Sequence, residues 1–158
     1  MFQTAHSDQD CYAILLVDSE EPVSGIDFAP DSSIGWDHLS IRDNWTRPIN
    51  ANNNQAQMMT TCMESWIMAD HNTLINYYGS ELHDSSLLPT HNLEQRLRHD
   101  VQRSLKDATA DCKNGYKKGE HSFKLLGSLD PETLNCHLGH FRRFCQTLDN
   151  ILEYPQRH

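Results

Sequence analysis

No stretch of this 158-residue chain approaches the roughly 20 consecutive apolar residues that cross a bilayer. The segment Met1 to Asp10 is polar and acidic where a secretory leader is basic and then apolar. We therefore expect a soluble protein that is neither membrane-bound nor exported, with the cytoplasm as its compartment. Basic residues are also scarce in the first half. Residues 1–84 carry two, Arg42 and Arg47, against thirteen acidic ones, a net of −11, while residues 85–158 carry eleven against nine, a net of +2. These recover the overall −9 and make nucleic acid an unexpected partner, because a phosphate backbone needs a clustered basic surface.

Paired cysteines are missing as well. Cys11, Cys62, Cys112, Cys136 and Cys145 are odd in number and scattered, with no C-x-x-C, which speaks for reduced thiols rather than a disulfide framework. There is no glycine-rich phosphate loop, no G-x-S-x-G elbow and no H-E-x-x-H, so the common nucleotide-binding and hydrolase signatures are absent. Apolar content is 37% and mean hydropathy −0.67, low for a folded domain. Thirteen aromatic residues nevertheless need somewhere to pack, which predicts a modest core under a polar surface rather than disorder.

The best-specified stretch is Asp130 to Tyr154. Leu134, Leu138, Phe141, Cys145, Leu148 and Leu152 recur at spacings of three and four, the seam of a helix that buries one stripe. Asp130 stands as the N-cap, Pro131 at the first helical position, and Pro155 as the stop. A third-helix edge runs through Leu93, Leu97, Val101, Leu105, Ala108 and Cys112, with Glu94–Arg98, Arg96–Asp100 and Arg103–Asp107 as i,i+4 pairs on its wet side. Between Met59 and Tyr78 a helical stripe is interrupted at Asp70 to Asn72, which predicts two segments with a kink. Residues 11–17 read as a strand, and the apolar pieces Val23–Phe28 and Ile34–Ile41, punctuated by Gly25, Pro30 and Gly35, read as further short strands. The expected fold is α+β, mostly α: a small N-terminal antiparallel β meander packed on a bundle of three to four helices. It forms a single domain, with residues 1–50 as a β-containing acidic section and residues 51–158 as the helical section.

Three constellations carry possible chemistry. The first is Cys136, His137 and His140: Cys136 and His140, one turn apart on the predicted helix, point away from its seam, His137 lies at its margin, and a metal there needs a further ligand from His71, Asp70 or His99. The order of His71, His99-Asp100 and Asp130 or Asp149 is similar to the H…HD…D ligand order of HD-domain phosphohydrolases, a resemblance that implies a metal-dependent hydrolase. Ten His and fourteen Asp predict about one His-Asp dipeptide by chance and two occur, so the motif decides little. The third constellation is Cys11 as a thiol nucleophile with His38 as base and Asp37 as orienting carboxylate.

The leading functional expectation is a regulatory or inhibitor-type protein that acts by binding another protein with a basic surface. Asp18, Glu20, Glu21, Asp37 and Asp43 would supply the acidic face, and Trp36 or Trp45 the anchor. No cofactor is expected, and a monomer is favoured over an assembly.

Overall fold

The computed structural model describes residues 12–25 and 27–153. Within them the fold is α+β and mostly helical, as the periodicities predict. Strands β1 (Leu15–Asp18) and β2 (Ala56–Met59) pair in parallel, with Leu15 opposite Ala56 and Asp18 opposite Met59. The expected antiparallel meander is thus replaced by one parallel pair. A parallel pair needs a crossover, and the chain supplies it with α1 (Ile34–Asp43), where short strands were expected. The reason lies in the packing: Ile34, Trp36 and Leu39 are buried together in a helix that lies over β2. Gly35 permits this approach, since a Cβ there would stand 2.4 Å from the carbonyl oxygen of Ala56.

Strand residues alternate between faces, and the two faces meet different cores. Leu15, Val17, Ala56 and Met58 join Ile34, Trp36 and Leu39 in one apolar cluster. Leu16 and Met59 join the larger helical cluster. The helices that build it are α2 (Met63–Ala69), α3 (His71–Tyr78), α4 (Arg98–Ala108), α5 (Glu120–Leu126), α6 (Pro131–His137) and α7 (Gly139–Glu153). All seven residues of α2 are buried, so it is the central helix of this layer. The kink expected near Asp70 is present. Its side chain accepts from the Thr73 amide at 3.0 Å and the Thr73 hydroxyl at 2.7 Å, capping α3, and from the Asp130 amide at 3.0 Å, tying α6 to the same corner.

The predicted helix from Asp130 to Tyr154 is split. Asp130 caps α6 with Pro131 in its first turn, as expected, but Leu138 is extended and α7 begins at Gly139. Two contacts cause the break. The buried Glu94 carboxylate accepts from the amides of Gly139 at 2.8 Å and His140 at 3.0 Å, N–H groups that a continuous helix would spend on its preceding turn. The Phe28 ring also occupies the space beside Gly139, 2.5 Å from where a Cβ would be. Beyond the break the buried stripe rotates. Leu134, Leu138 and Phe141 are buried, but Leu152 is 77% exposed, and Arg143 and Thr147 take the inner positions.

Arg143 is the largest fully buried side chain, with 0% exposure. Its guanidinium donates to the carbonyls of Ala29 (3.1 Å), Ser32 (2.9 Å) and Ala56 (3.0 Å) and to the Gln57 amide oxygen (2.8 Å). Gln57 in turn donates to Thr147 at 3.0 Å. One side chain on α7 thereby holds the loop before α1 against β2. Nothing among the described residues is a helix long and apolar enough to cross a membrane.

Candidate functional site

The carboxyl ends of β1 and β2 are where a parallel sheet of this kind opens toward a ligand. Asp18 is the last residue of β1, and the backbone beyond it is pinned on every side. The Asp18 carbonyl accepts from Arg42 at 2.8 Å, the Ser19 carbonyl meets His38 Nε2 at 2.8 Å, and the Ser19 and Glu20 amides donate to Met59 and Thr61. Glu20 takes a left-handed backbone, φ 65°, which turns its side chain out to an ion pair with Arg98.

Facing this turn is α2, and its second residue, Glu64, is 1% exposed. Tyr116, also buried, donates its hydroxyl to Glu64 Oε1 at 3.1 Å. Burial and the neighbouring Glu64 charge push the Tyr116 hydroxyl far above the ordinary tyrosine range, so it stays a donor. The other oxygen, Glu64 Oε2, has no hydrogen-bond partner, and neither do the buried Asp18 Oδ1 and Thr60 Oγ1. Burial raises the Asp18 pKa. The exposed Lys118 opposes that rise, the Glu64 charge adds to it, and Arg98 and the Met63 amide again oppose it. The Asp18 and Glu64 charges thus oppose one another, while Lys118 and Arg98 act on Asp18 with the opposite sign. That arrangement is suited to holding a hard cation and an anionic group against it.

The residues singled out from sequence are placed elsewhere. Cys11 lies outside the described residues. Its intended partners His38 and Asp37 sit on α1 rather than on a strand, His38 against the Ser19 carbonyl and Asp37 accepting from Ser33 at 2.6 Å. Trp36 is buried at 6% exposure and donates to the Asn52 carbonyl at 2.9 Å, so it closes the core instead of anchoring a partner. Trp45 is 45% exposed, Asp43 is held by Arg42 at 2.9 Å, and Glu20 is held by Arg98.

The metal candidates do not converge. His71 meets the Leu88 carbonyl at 3.0 Å, and His99 lies on the exposed side of α4 beside Asp100, which pairs with Arg103 at 2.6 Å. Cys136 is exposed on α6, whereas His140, expected to face outward, is buried on α7 with its ring 5.1 Å from that of Phe28. The break at Leu138 is the physical reason, because it separates the two residues onto different helices. Among the described residues, no group of three or more His, Cys, Asp or Glu is placed to hold a metal ion.

From sequence Asp18 was expected only as part of an acidic docking face, and Glu64 was not singled out. Their signal was local: a carboxylate closing an apolar strand, and a carboxylate inside the apolar run Met63 to Ile67. No curated protein and no solved structure matches the chain. A family model described as "Domain of unknown function (DUF4276)" matches residues 1–149, and the chain belongs to that family.

Proposed function

We propose that this chain is a divalent-cation-dependent phosphoesterase whose centre lies at the carboxyl ends of β1 and β2. The observation that carries this reading is two buried carboxylate oxygens, Asp18 Oδ1 and Glu64 Oε2, with no partner at hydrogen-bond distance, the Met63 amide and the Cys62 thiol acting on these carboxylates from farther off. A buried carboxylate oxygen left without a partner is costly, and a native orphan of this kind points to an ion or water that completes it. Oxygen donors without imidazole or thiolate suit Mg²⁺ or Mn²⁺ rather than Zn²⁺. Two protein carboxylates suffice for Mg²⁺, which keeps several waters and takes further oxygens from a substrate phosphate.

The residues have distinct parts. Asp18 and Glu64 would hold the cation, and Tyr116 fixes the orientation of Glu64 through its hydroxyl. Lys118 and Arg98 supply the positive potential that draws and neutralises a phosphoryl group, Arg98 by exchanging Glu20 for a phosphate oxygen. When bound, the cation would supply Lewis-acid polarisation of the phosphoryl oxygen and an activated water. This reading keeps the metal-dependent hydrolase class that the histidines suggested and moves it to other residues.

The test is turnover. Phosphate mono- and diesters presented with Mg²⁺ or Mn²⁺ should be hydrolysed, and Asp18→Asn or Glu64→Gln should each reduce kcat by on the order of 100-fold or more with the helical signal intact. Hydrolysis indifferent to chelator, or equal in both variants, would remove the proposal.

A further inference from the structure

A second surface, independent of those carboxylates, runs along α1. A groove of about 590 Å³ is lined by Glu21, Asp27 and Asp37, with Val23 and Ile34 buried in its floor. Its cationic side chains are already engaged: Arg42 by Asp43 and the Asp18 carbonyl, His38 by the Ser19 carbonyl. The three carboxylates outnumber the lining's one fixed cation, Arg42, so the groove is net negative, with Arg42 and the buried Arg143 offsetting part of the charge on Glu21 and Asp27. Apolar side chains border it. Ile41 is 85% exposed on the groove's edge, and Trp45, 45% exposed, lines a second hollow of about 450 Å³ that shares Ser33 and Asp37 with the first.

We propose that this groove docks a basic, partly apolar segment of another protein, one that carries Lys or Arg and Leu or Ile on the same face. A purely ionic partner would leave Ile41 and Trp45 uncovered, and a purely apolar one would desolvate three carboxylates without pairing them. A segment that presents cationic and apolar side chains together on the face it turns to α1 answers both, since Asp37 and Ile41 lie one turn apart on that helix. Its cations meet Glu21, Asp27 and Asp37 while its apolar residues cover Ile41 and Trp45. Exposed charge of one sign also speeds encounter with a partner of the opposite sign.

Fluorescence anisotropy of a labelled synthetic lysine–leucine peptide with both residues on one face, titrated with the full chain, tests this directly. Binding should weaken at least about tenfold between low salt and roughly 0.5 M salt. It should weaken at least about tenfold in Glu21→Lys/Asp37→Lys and about threefold in Ile41→Ala. These side chains are exposed, so circular dichroism should be unchanged in every variant. No binding, or equal binding by a glutamate–leucine peptide or a lysine–glycine peptide, would overturn the proposal. It would also be overturned if sedimentation showed the chain pairing with a second copy of itself and Glu21→Lys/Asp37→Lys abolished that pairing.

Discussion

Glu94 and His140 meet across the break between α6 and α7, with the His140 amide donating to Glu94 Oε1 at 3.0 Å. Both side chains are buried, and burial acts on them in opposite directions. It pushes the Glu94 carboxyl up to about 7 against the pull of the two amides. It pushes His140 down to about 4, assisted by the Arg143 charge. The ordinary values they leave, 4.5 and 6.5, bracket almost the same pH range.

Their linkages to stability therefore oppose one another. Glu94 binds its proton more tightly when folded, so its contribution is full below pH 4.5 and is lost as pH rises toward 7. His140 binds its proton less tightly when folded, so its contribution is full above pH 6.5 and is lost as pH falls toward 4. Each amounts to about 3 kcal/mol at most. Denaturant titrations between pH 4 and 7 should show Glu94→Gln gaining stability with rising pH relative to the parent, and His140→Asn losing it. Parallel curves for parent and both variants would contradict the assignment.

Asp70 serves two helices at once, so its removal should cost more than an ordinary cap. Asp70→Ala leaves the Thr73 and Asp130 amides without their acceptor. A loss of about 2–4 kcal/mol in urea unfolding is expected, against about 1 for a typical cap. A loss below 1 kcal/mol would mean that the tie to Asp130 contributes nothing.

Arg143 should tolerate neither a conservative nor an apolar replacement. Lysine cannot reproduce a fork that reaches five carbonyls and the Gln57 oxygen. Methionine leaves those acceptors unpaired. Both Arg143→Lys and Arg143→Met should lose about 3 kcal/mol or more, measured by thermal or urea unfolding, with the loop before α1 released to proteolysis. Near-parent stability of Arg143→Lys would argue against the network.

Gly139 is expected to be coupled to Phe28 rather than to helix propensity. Gly139→Ala should destabilise by about 1–3 kcal/mol although alanine favours helices, because its Cβ enters the Phe28 ring. In Phe28→Ala the same substitution should be neutral or stabilising. A double-mutant cycle with zero coupling would refute the contact.

Much of the architecture was legible in the sequence because periodicity is local. The Asp130 cap, the division at Asp70 and the α4 edge through Val101, Leu105 and Ala108 all follow from spacing within one or two turns. What failed was set by partners distant in sequence. Ile34–Asp43 is a helix because it packs on a strand near residue 56, and no local signal says so. Arg143 and Glu94 looked like solvated charges on helix faces, yet their acceptors and donors lie 45 to 114 residues away. Arg98, expected to pair with Glu94, closes on Glu20 instead. The candidate site shares this property. Asp18 and Glu64 stand 46 residues apart and become neighbours only when β1 and β2 align in parallel, so no fixed-spacing motif could reveal them.

The most direct test of the proposed centre is Mn²⁺ binding followed by electron paramagnetic resonance, which reads free ion against bound. The parent chain should remove one equivalent of Mn²⁺ from solution, Mg²⁺ should compete for the same site, and Asp18→Asn and Glu64→Gln should each weaken binding by about 10–100-fold. Tyr116→Phe, which loses only the hydrogen bond to Glu64, should weaken it less. If the parent leaves Mn²⁺ free at millimolar protein, or if both carboxylate variants bind as the parent does, Asp18 and Glu64 are not a cation site.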